Sequence, residues 1–341
     1  MKIAIVTDAW HPQISGVVTT LTETIRQLNH FGHQVLVLHP DCFPPSIPCP
    51  TYPQIRLAMA PGIRLRKQLE NFRPDAIHIV TEGPVGLSGR RYCVHNRLNF
   101  TTSFTTRFDE YVQLRFRIPS RWSFAMLRWF HSAASKVLIS SVPLREELES
   151  RGFARTVLWP RGVDAERFRM HGKTFLSAPR PVFMYVGRVA VEKSIEDFLK
   201  LELPGTKFVV GDGPELNRLR ADYPDVQFVG AKTGMALARH YAAADVFVFP
   251  SRTDTFGVVM LEAMASGVPV AAYPVRGPID IVQNGETGFL DEDLQKAALQ
   301  ALELDPNRCR EYALQFSWPN SAKYFIKNLV KARPSEMPVA L

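Results

Sequence analysis

The stretch at 251–267, SRTDTFGVVMLEAMASG, sets two carboxylates, Asp254 and Glu262, on either side of Phe256, Gly257 and Val258, where a strongly apolar helix begins. Immediately before it, residues 245–250 read DVFVFP, which is apolar, β-branched and aromatic and is stopped by Pro250. That is the pattern of a short buried parallel strand. The stretch therefore lies where a strand ends and a helix starts. In parallel α/β sheets ligands bind at the carboxyl ends of strands, and a helix starting there offers unpaired N–H groups and a positive dipole end to an anion. A phosphate-bearing ligand suits this position.

Outward from this stretch, the strand–turn–helix unit repeats. Upstream, a strand at 182–186 leads into Gly187-Arg188-Val189-Ala190-Val191-Glu192-Lys193, one at 207–210 runs into Gly211-Asp212-Gly213-Pro214, and one at 226–229 ends at Gly230. Residues 1–170 show the same alternation, with strands expected at 3–7, 34–39, 76–80, 99–104, 136–140 and 156–159 and a helix starting after Ser15-Gly16. The proline-rich segment 41–61 reads as an irregular loop, and 171–181, rich in Gly, Pro and Ser, as a linker. The expected fold class is α/β, with two Rossmann-like doubly wound domains, 1–170 and 171–317, facing across a cleft. A helix from 318 is expected to pack back toward the first domain before the tail at 341.

With 341 residues, 46% hydrophobic and 22% charged, the chain has the composition of a folded globular protein. Its apolar runs are strand-length, far short of the ~20 residues of a spanning helix. The N-terminus reads as a first strand, since Asp8, Trp10, His11 and Pro12 follow only a few apolar residues. The four cysteines, Cys42, Cys49, Cys93 and Cys309, lack metal-ligand spacing, so no metal or cofactor is expected and the location reads as cytoplasmic. Charge is uneven: residues 1–170 carry 22 Lys and Arg against 13 Asp and Glu, a larger excess than the net +8 of the whole chain. Many of these arginines, among them Arg90, Arg91, Arg107, Arg121 and Arg128, interleave with aromatics such as Phe104, Trp122 and Trp129. Basic residues mixed with aromatics suit an anionic membrane surface or a nucleic acid, and equally an ordinary solvated face over a core.

Arg188 and Lys193 offer two cations on one strand-to-helix turn, suited to a diphosphate; singly, each reads as an ordinary surface charge. A carboxylate one or two turns along a helix, such as Glu262, can accept both hydroxyls of a ribose, which leaves Asp254 to meet the hydroxyls of an attached sugar. Neither DAWHPQISG nor GRVAVEK supplies the GxGxxG of a dinucleotide dehydrogenase. A nucleic-acid-binding protein would explain the arginines but leave the paired carboxylates and the turns of both halves unexplained.

The run from Asp254 to Glu262, followed by AMASGVPV, resembles the signature of the family 4 retaining glycosyltransferases of the GT-B fold. The likeness extends to Ser15-Gly16, to LWPRGVD at 158–164, to 187–193, to VVGDGPEL at 209–216 and to 277–282, and is greatest to enzymes making glycosyl and sulfoquinovosyl diacylglycerols. The resemblance implies that Gly16 lies against the donor diphosphate and that Arg188 and Lys193 neutralise it, stabilising the leaving group without a metal. It further implies that Glu262 holds the ribose, that Asp254 binds donor-sugar hydroxyls, that Phe256, Gly257 and Val258 surround sugar and phosphate, and that Gly230 follows the strand leading to the nucleobase pocket. Two departures stand out. The first carboxylate, usually Glu in the family, is Asp254. The histidine often found near the end of the fourth N-terminal strand is replaced, its place falling on Thr105 or Arg107.

The resemblance thus implies a retaining hexosyltransferase moving a sugar from a nucleotide diphosphate sugar, a UDP-sugar, to a lipid acceptor such as diacylglycerol. The protein would be cytoplasmic and peripheral at the inner face of the cytoplasmic membrane, with no nucleic-acid partner. The alternatives within the fold are a GDP-mannose-dependent mannosyltransferase acting on phosphatidylinositol or a polysaccharide, and a nucleotide-sugar epimerase.

Overall fold

The computed structural model describes residues 1–13, 15–49, 52–105, 120–252 and 256–333. They form two compact units, one comprising Met1–Pro160 with the chain from Trp318 onward, the other Arg161–Ser317. Each is built on a six-stranded, wholly parallel sheet, so the two doubly wound halves read from the sequence are present.

In the first unit the strands are β1 (Lys2–Val6), β2 (Gln34–Leu38), a ribbon of β3 (Ser46–Cys49) and β4 (Tyr52–Ala58), then β5 (Ala76–Ile79), β6 (Thr101–Ser103), β7 (Lys136–Ile139) and β8 (Thr156–Leu158). The sheet runs β2-β1-β5-β6-β7-β8. Its helices include α1 (Gly16–His30), α2 (Gly62–Phe72), α3 (Pro84–His95) and α4 (Ser120–Ser132). Ile3 and Ile5 face one layer, packing with Leu21 and Leu28 of α1 and with Phe325 of the helix Trp318–Asn328; Ala4 and Val6 face the other, with Leu65, Val85 and Phe130. This alternation across one strand is the two-layer solution for a sheet covered on both faces.

The proline-rich segment expected to be irregular instead forms the antiparallel ribbon β3–β4, with Ser46 opposite Ala58 and a register shift at Pro48/Cys49. An isolated two-stranded ribbon has edges on both sides, where a proline lacking its N–H breaks no ladder, so prolines did not preclude strands here.

The second unit has β9 (Val182–Val186), β10 (Thr206–Val210), β11 (Gln227–Phe228), β12 (Val246–Phe249), β13 (Val270–Ala272) and β14 (Gly288–Leu290), in the order β11-β10-β9-β12-β13-β14. All residues of β9 and β12 are buried, as expected of central strands with helices on both faces. The order reverses between β9 and β12 in this sheet and between β1 and β5 in the first. Such switch points open the crevice where ligands bind in doubly wound sheets.

Candidate active site

Four turns of the second unit follow the carboxyl ends of four adjacent strands. They are Gly230 after β11, Gly211–Pro214 after β10, Gly187–Lys193 after β9, and Phe256–Val258 after β12. The last two flank the switch point. The turns also hold one another: Gly187 N donates to Val210 O at 3.0 Å, Val189 N to Asp212 O at 2.9 Å, and Gly211 N to Gly230 O at 3.1 Å. Packing is close enough to exclude side chains, since a Cβ on Gly211 would sit 1.8 Å from Gly187 O and one on Gly213 would sit 2.2 Å from Val189 O. Within this frame Tyr185 donates its hydroxyl to Arg188 O at 2.7 Å, anchoring the backbone that carries the Arg188 side chain. Lys193 ends a single 3₁₀ turn, Val191–Lys193. Both cations are half-buried.

Gly257 caps the helix Val258–Ala265 with φ +81°, a left-handed conformation open to glycine, and a Cβ there would also meet Met260 Cε at 2.6 Å. Phe256 and Val258 are buried around it. Four residues further along the helix, Glu262 is buried, and Tyr241 from the helix Gly234–Ala243 donates its phenolic hydrogen to Glu262 Oε2 at 3.0 Å. Burial pushes the Glu262 carboxyl up to about 7 despite that hydrogen bond and the nearby Arg167 guanidinium, with Asp164 adding to the rise. Asp164, the last residue of the LWPRGVD segment, pairs with Arg167 at 3.3 Å. The tyrosine that orients Glu262 carries no sequence signal, because a Tyr in an apolar helix reads as core. Asp254 lies outside the described residues.

In the first unit, Gly16 is the exposed first residue of α1, and Ser15 caps the helix by accepting from Val18 N at 3.4 Å. A Cβ at Gly16 would meet nothing within 4 Å. Internal packing therefore does not account for glycine here, in contrast to Gly211. At the switch point of this sheet, buried Asp8 follows β1 and accepts from Val85 N at 2.8 Å, Gly86 N at 3.1 Å and Thr81 Oγ1 at 2.9 Å. It thereby ties the TEGPVG turn after β5 to the start of α3. Burial raises its pKa against these donors. Thr105, just beyond β6, is half-buried, and Arg107 lies outside the described residues.

The family description "Glycosyl transferases group 1" matches residues 180–304 and "Glycosyltransferase Family 4" matches residues 14–167. A GDP-mannose-dependent alpha-mannosyltransferase of Mycolicibacterium smegmatis is 32% identical over 327 residues, 88% of this chain and 87% of that protein. The chain belongs to the group 1/family 4 glycosyltransferases. The sulfoquinovosyl transferase SQD2 of Arabidopsis thaliana is also 32% identical, over 81% of this chain and 61% of that one. Among solved structures, a sucrose-phosphate synthase from Thermosynechococcus elongatus superposes with a TM-score of 0.78 over 96% of this chain and 97% of that chain, at 21% identity. The fold is GT-B, and this glycosyltransferase is a hexosyltransferase.

Proposed function

We propose that this enzyme transfers a sugar, with retained anomeric configuration, from a UDP-sugar to a lipid acceptor such as diacylglycerol at an anionic membrane surface. The observation that carries the lipid reading is a stripe on α4: Trp122, Met126 and Trp129, at i, i+4 and i+7, are 65%, 39% and 52% exposed. Exposed tryptophans at helical spacing within the basic half match an interfacial contact. The resemblance to diacylglycerol-modifying enzymes points the same way. No helix among the described residues is long and apolar enough to cross a membrane, and the proposed association is peripheral, at the cytoplasmic face.

In this reading Arg188 and Lys193 neutralise the donor diphosphate, Glu262 accepts the ribose hydroxyls, and the turn at Gly230 borders the base. The open backbone at Gly16 gives the diphosphate close approach, and Asp254 with the turn Phe256, Gly257 and Val258 receives the sugar. The acceptor attacks from the face the diphosphate leaves, and a donor phosphate oxygen helps take its proton. Charge neutralisation of the leaving group is the largest contribution asked of the protein. A GDP-mannose donor is the second reading, favoured by the 32% identity to the mycolicibacterial enzyme named for it. The test offers UDP- and GDP-sugars with diacylglycerol or phosphatidylinositol in anionic vesicles and weighs the products. A glycolipid product is the expected result; transfer only to water-soluble acceptors overturns the lipid reading, and an Arg188→Ala variant with full turnover overturns the diphosphate role.

A further inference from the structure

Glu82 follows β5 at the switch point of the first sheet, in the same turn as Thr81 and Gly83. Its Oε1 lies 3.2 Å from Nε2 of His131, in the last turn of α4, and the two side chains are 9% and 1% exposed. His131 Nδ1 is in turn 2.8 Å from Thr102 Oγ1 on β6. Thr102 meets the imidazole at Nδ1, whereas Glu82 Oε1 and His131 Nε2 are within ion-pair distance but both are buried without a hydrogen-bond partner. Phe104, Phe130 and Phe153 surround the imidazole, with ring centroids 6.0, 5.2 and 5.6 Å away. The ring therefore has little freedom.

A buried carboxylate–imidazole pair adds little stability that a well-packed apolar pair would not supply. This one occupies the end of the sheet where ligands bind. Of the two carboxylates at the switch point, Asp8 is taken by three donors. Glu82 pairs with His131, and its charge also acts on the neighbouring Asp8 carboxyl.

We propose that Glu82 takes a hydrogen bond from an acceptor hydroxyl and that His131, backed by Thr102, is the positioning residue that aims it. Every glycosyl acceptor presents a hydroxyl whose lone pair must face the sugar, and a fixed carboxylate accepting the O–H sets that orientation. Glu82 lies on the turn after β5, apart from the α1 start at Gly16 to which the diphosphate is assigned and from the turns of the second unit, so its contribution is assigned to the acceptor. The inference rests on glycosyl transfer and not on the acceptor being a lipid.

The test uses the full chain with the donor and acceptor identified from UDP-glucose and GDP-mannose, each offered with diacylglycerol or phosphatidylinositol in phosphatidylglycerol vesicles. A water-soluble acceptor found instead would overturn the lipid reading, and the same variants would then be compared on that acceptor. Glu82→Gln is expected to lower kcat/KM for the acceptor at least 100-fold while the donor KM and the Kd for the nucleoside diphosphate stay within twofold. Glu82→Asp is expected to recover part of the loss. His131→Gln, which keeps an N–H donor, should exceed His131→Phe by tenfold or more. Equal losses toward donor and acceptor, or wild-type acceptor kinetics in Glu82→Gln, overturn the proposal. So does a loss that follows the fall in Tm across all four variants.

Discussion

The phenol of Tyr241 donates to Glu262 Oε2 at 3.0 Å in a site where both side chains are buried. Burial raises this carboxyl to about 7, so near neutrality it is part protonated and part charged. Ribose hydroxyls need the charged form, which accepts from both at once. If Glu262 holds the ribose, affinity for UDP or GDP falls as pH drops below 7, approaching tenfold per unit, and levels off above 8. Titration calorimetry from pH 6 to 8.5 measures this. A flat profile with UDP and GDP removes Glu262 from the nucleotide contact.

The same shift fixes the sign for the ligand-free protein. The folded pKa exceeds the unfolded one, so the contribution is fully present below about 4.5 and is lost as pH rises toward 7, at up to ~1.4 kcal/mol per unit. Glu262→Gln should therefore gain Tm relative to wild type as pH rises through that window, as scanning calorimetry at pH 4.5, 6 and 7.5 would record.

Tyr241→Phe removes one donor from a buried carboxylate and leaves the ring packing in place. A net loss of about 1–2 kcal/mol in nucleotide binding at pH 7 is expected, roughly 5- to 30-fold in Kd. The midpoint of the pH profile should move upward, because the charged form loses its hydrogen bond. An unshifted midpoint would show that the Tyr241 bond does not set the charge on Glu262.

The sheets were legible because buried parallel strands are written as continuous apolar runs: VFMYV and VFVF are interior at every position. The turns were legible because Gly211 and Gly213 stand where a backbone carbonyl leaves no room for a Cβ. What was not legible depends on contacts far apart in sequence. Tyr241 and Glu262 are 21 residues apart, and Asp8 meets Val85 across 77. His131, in a helix read only for its arginines and aromatics, reaches Glu82 through packing that no spacing encodes. The β3–β4 ribbon was missed because its prolines outweighed the signal of a short edge strand.

Gly16 and Gly211 should respond oppositely to alanine. Gly16→Ala places a methyl in open space at a helical position, so stability should hold or rise by about 0.4–1 kcal/mol. If a diphosphate approaches that backbone, turnover nonetheless falls tenfold or more. Gly211→Ala forces the turn off Gly187 O and should lose about 3 kcal/mol or more. Full activity in Gly16→Ala would place the diphosphate elsewhere.

Asp254→Glu restores the residue usual in the family. With Asp254 reading the sugar and Glu262 the ribose, the ratio of kcat/KM between UDP-glucose and UDP-galactose should change at least fivefold while the Kd for UDP stays within twofold. Equal changes in both would contradict the division of roles.

The exposed stripe on α4 sets the last expectation. Arg90, on α3, donates to Trp129 O at 3.0 Å and Phe130 O at 2.9 Å, and its guanidinium lies over the Trp129 ring at 3.9 Å. A cation thus sits directly against one of the exposed indoles, an arrangement suited to acidic headgroups above and acyl chains beside the ring. Flotation with phosphatidylglycerol vesicles should carry the wild-type protein, and phosphatidylcholine vesicles should carry much less. Trp122→Ser with Trp129→Ser should cut anionic-vesicle binding at least tenfold while UDP affinity is unchanged. Raising salt from 50 to 500 mM should weaken the remaining electrostatic attraction. Equal flotation of wild type and double variant would move the membrane contact off α4.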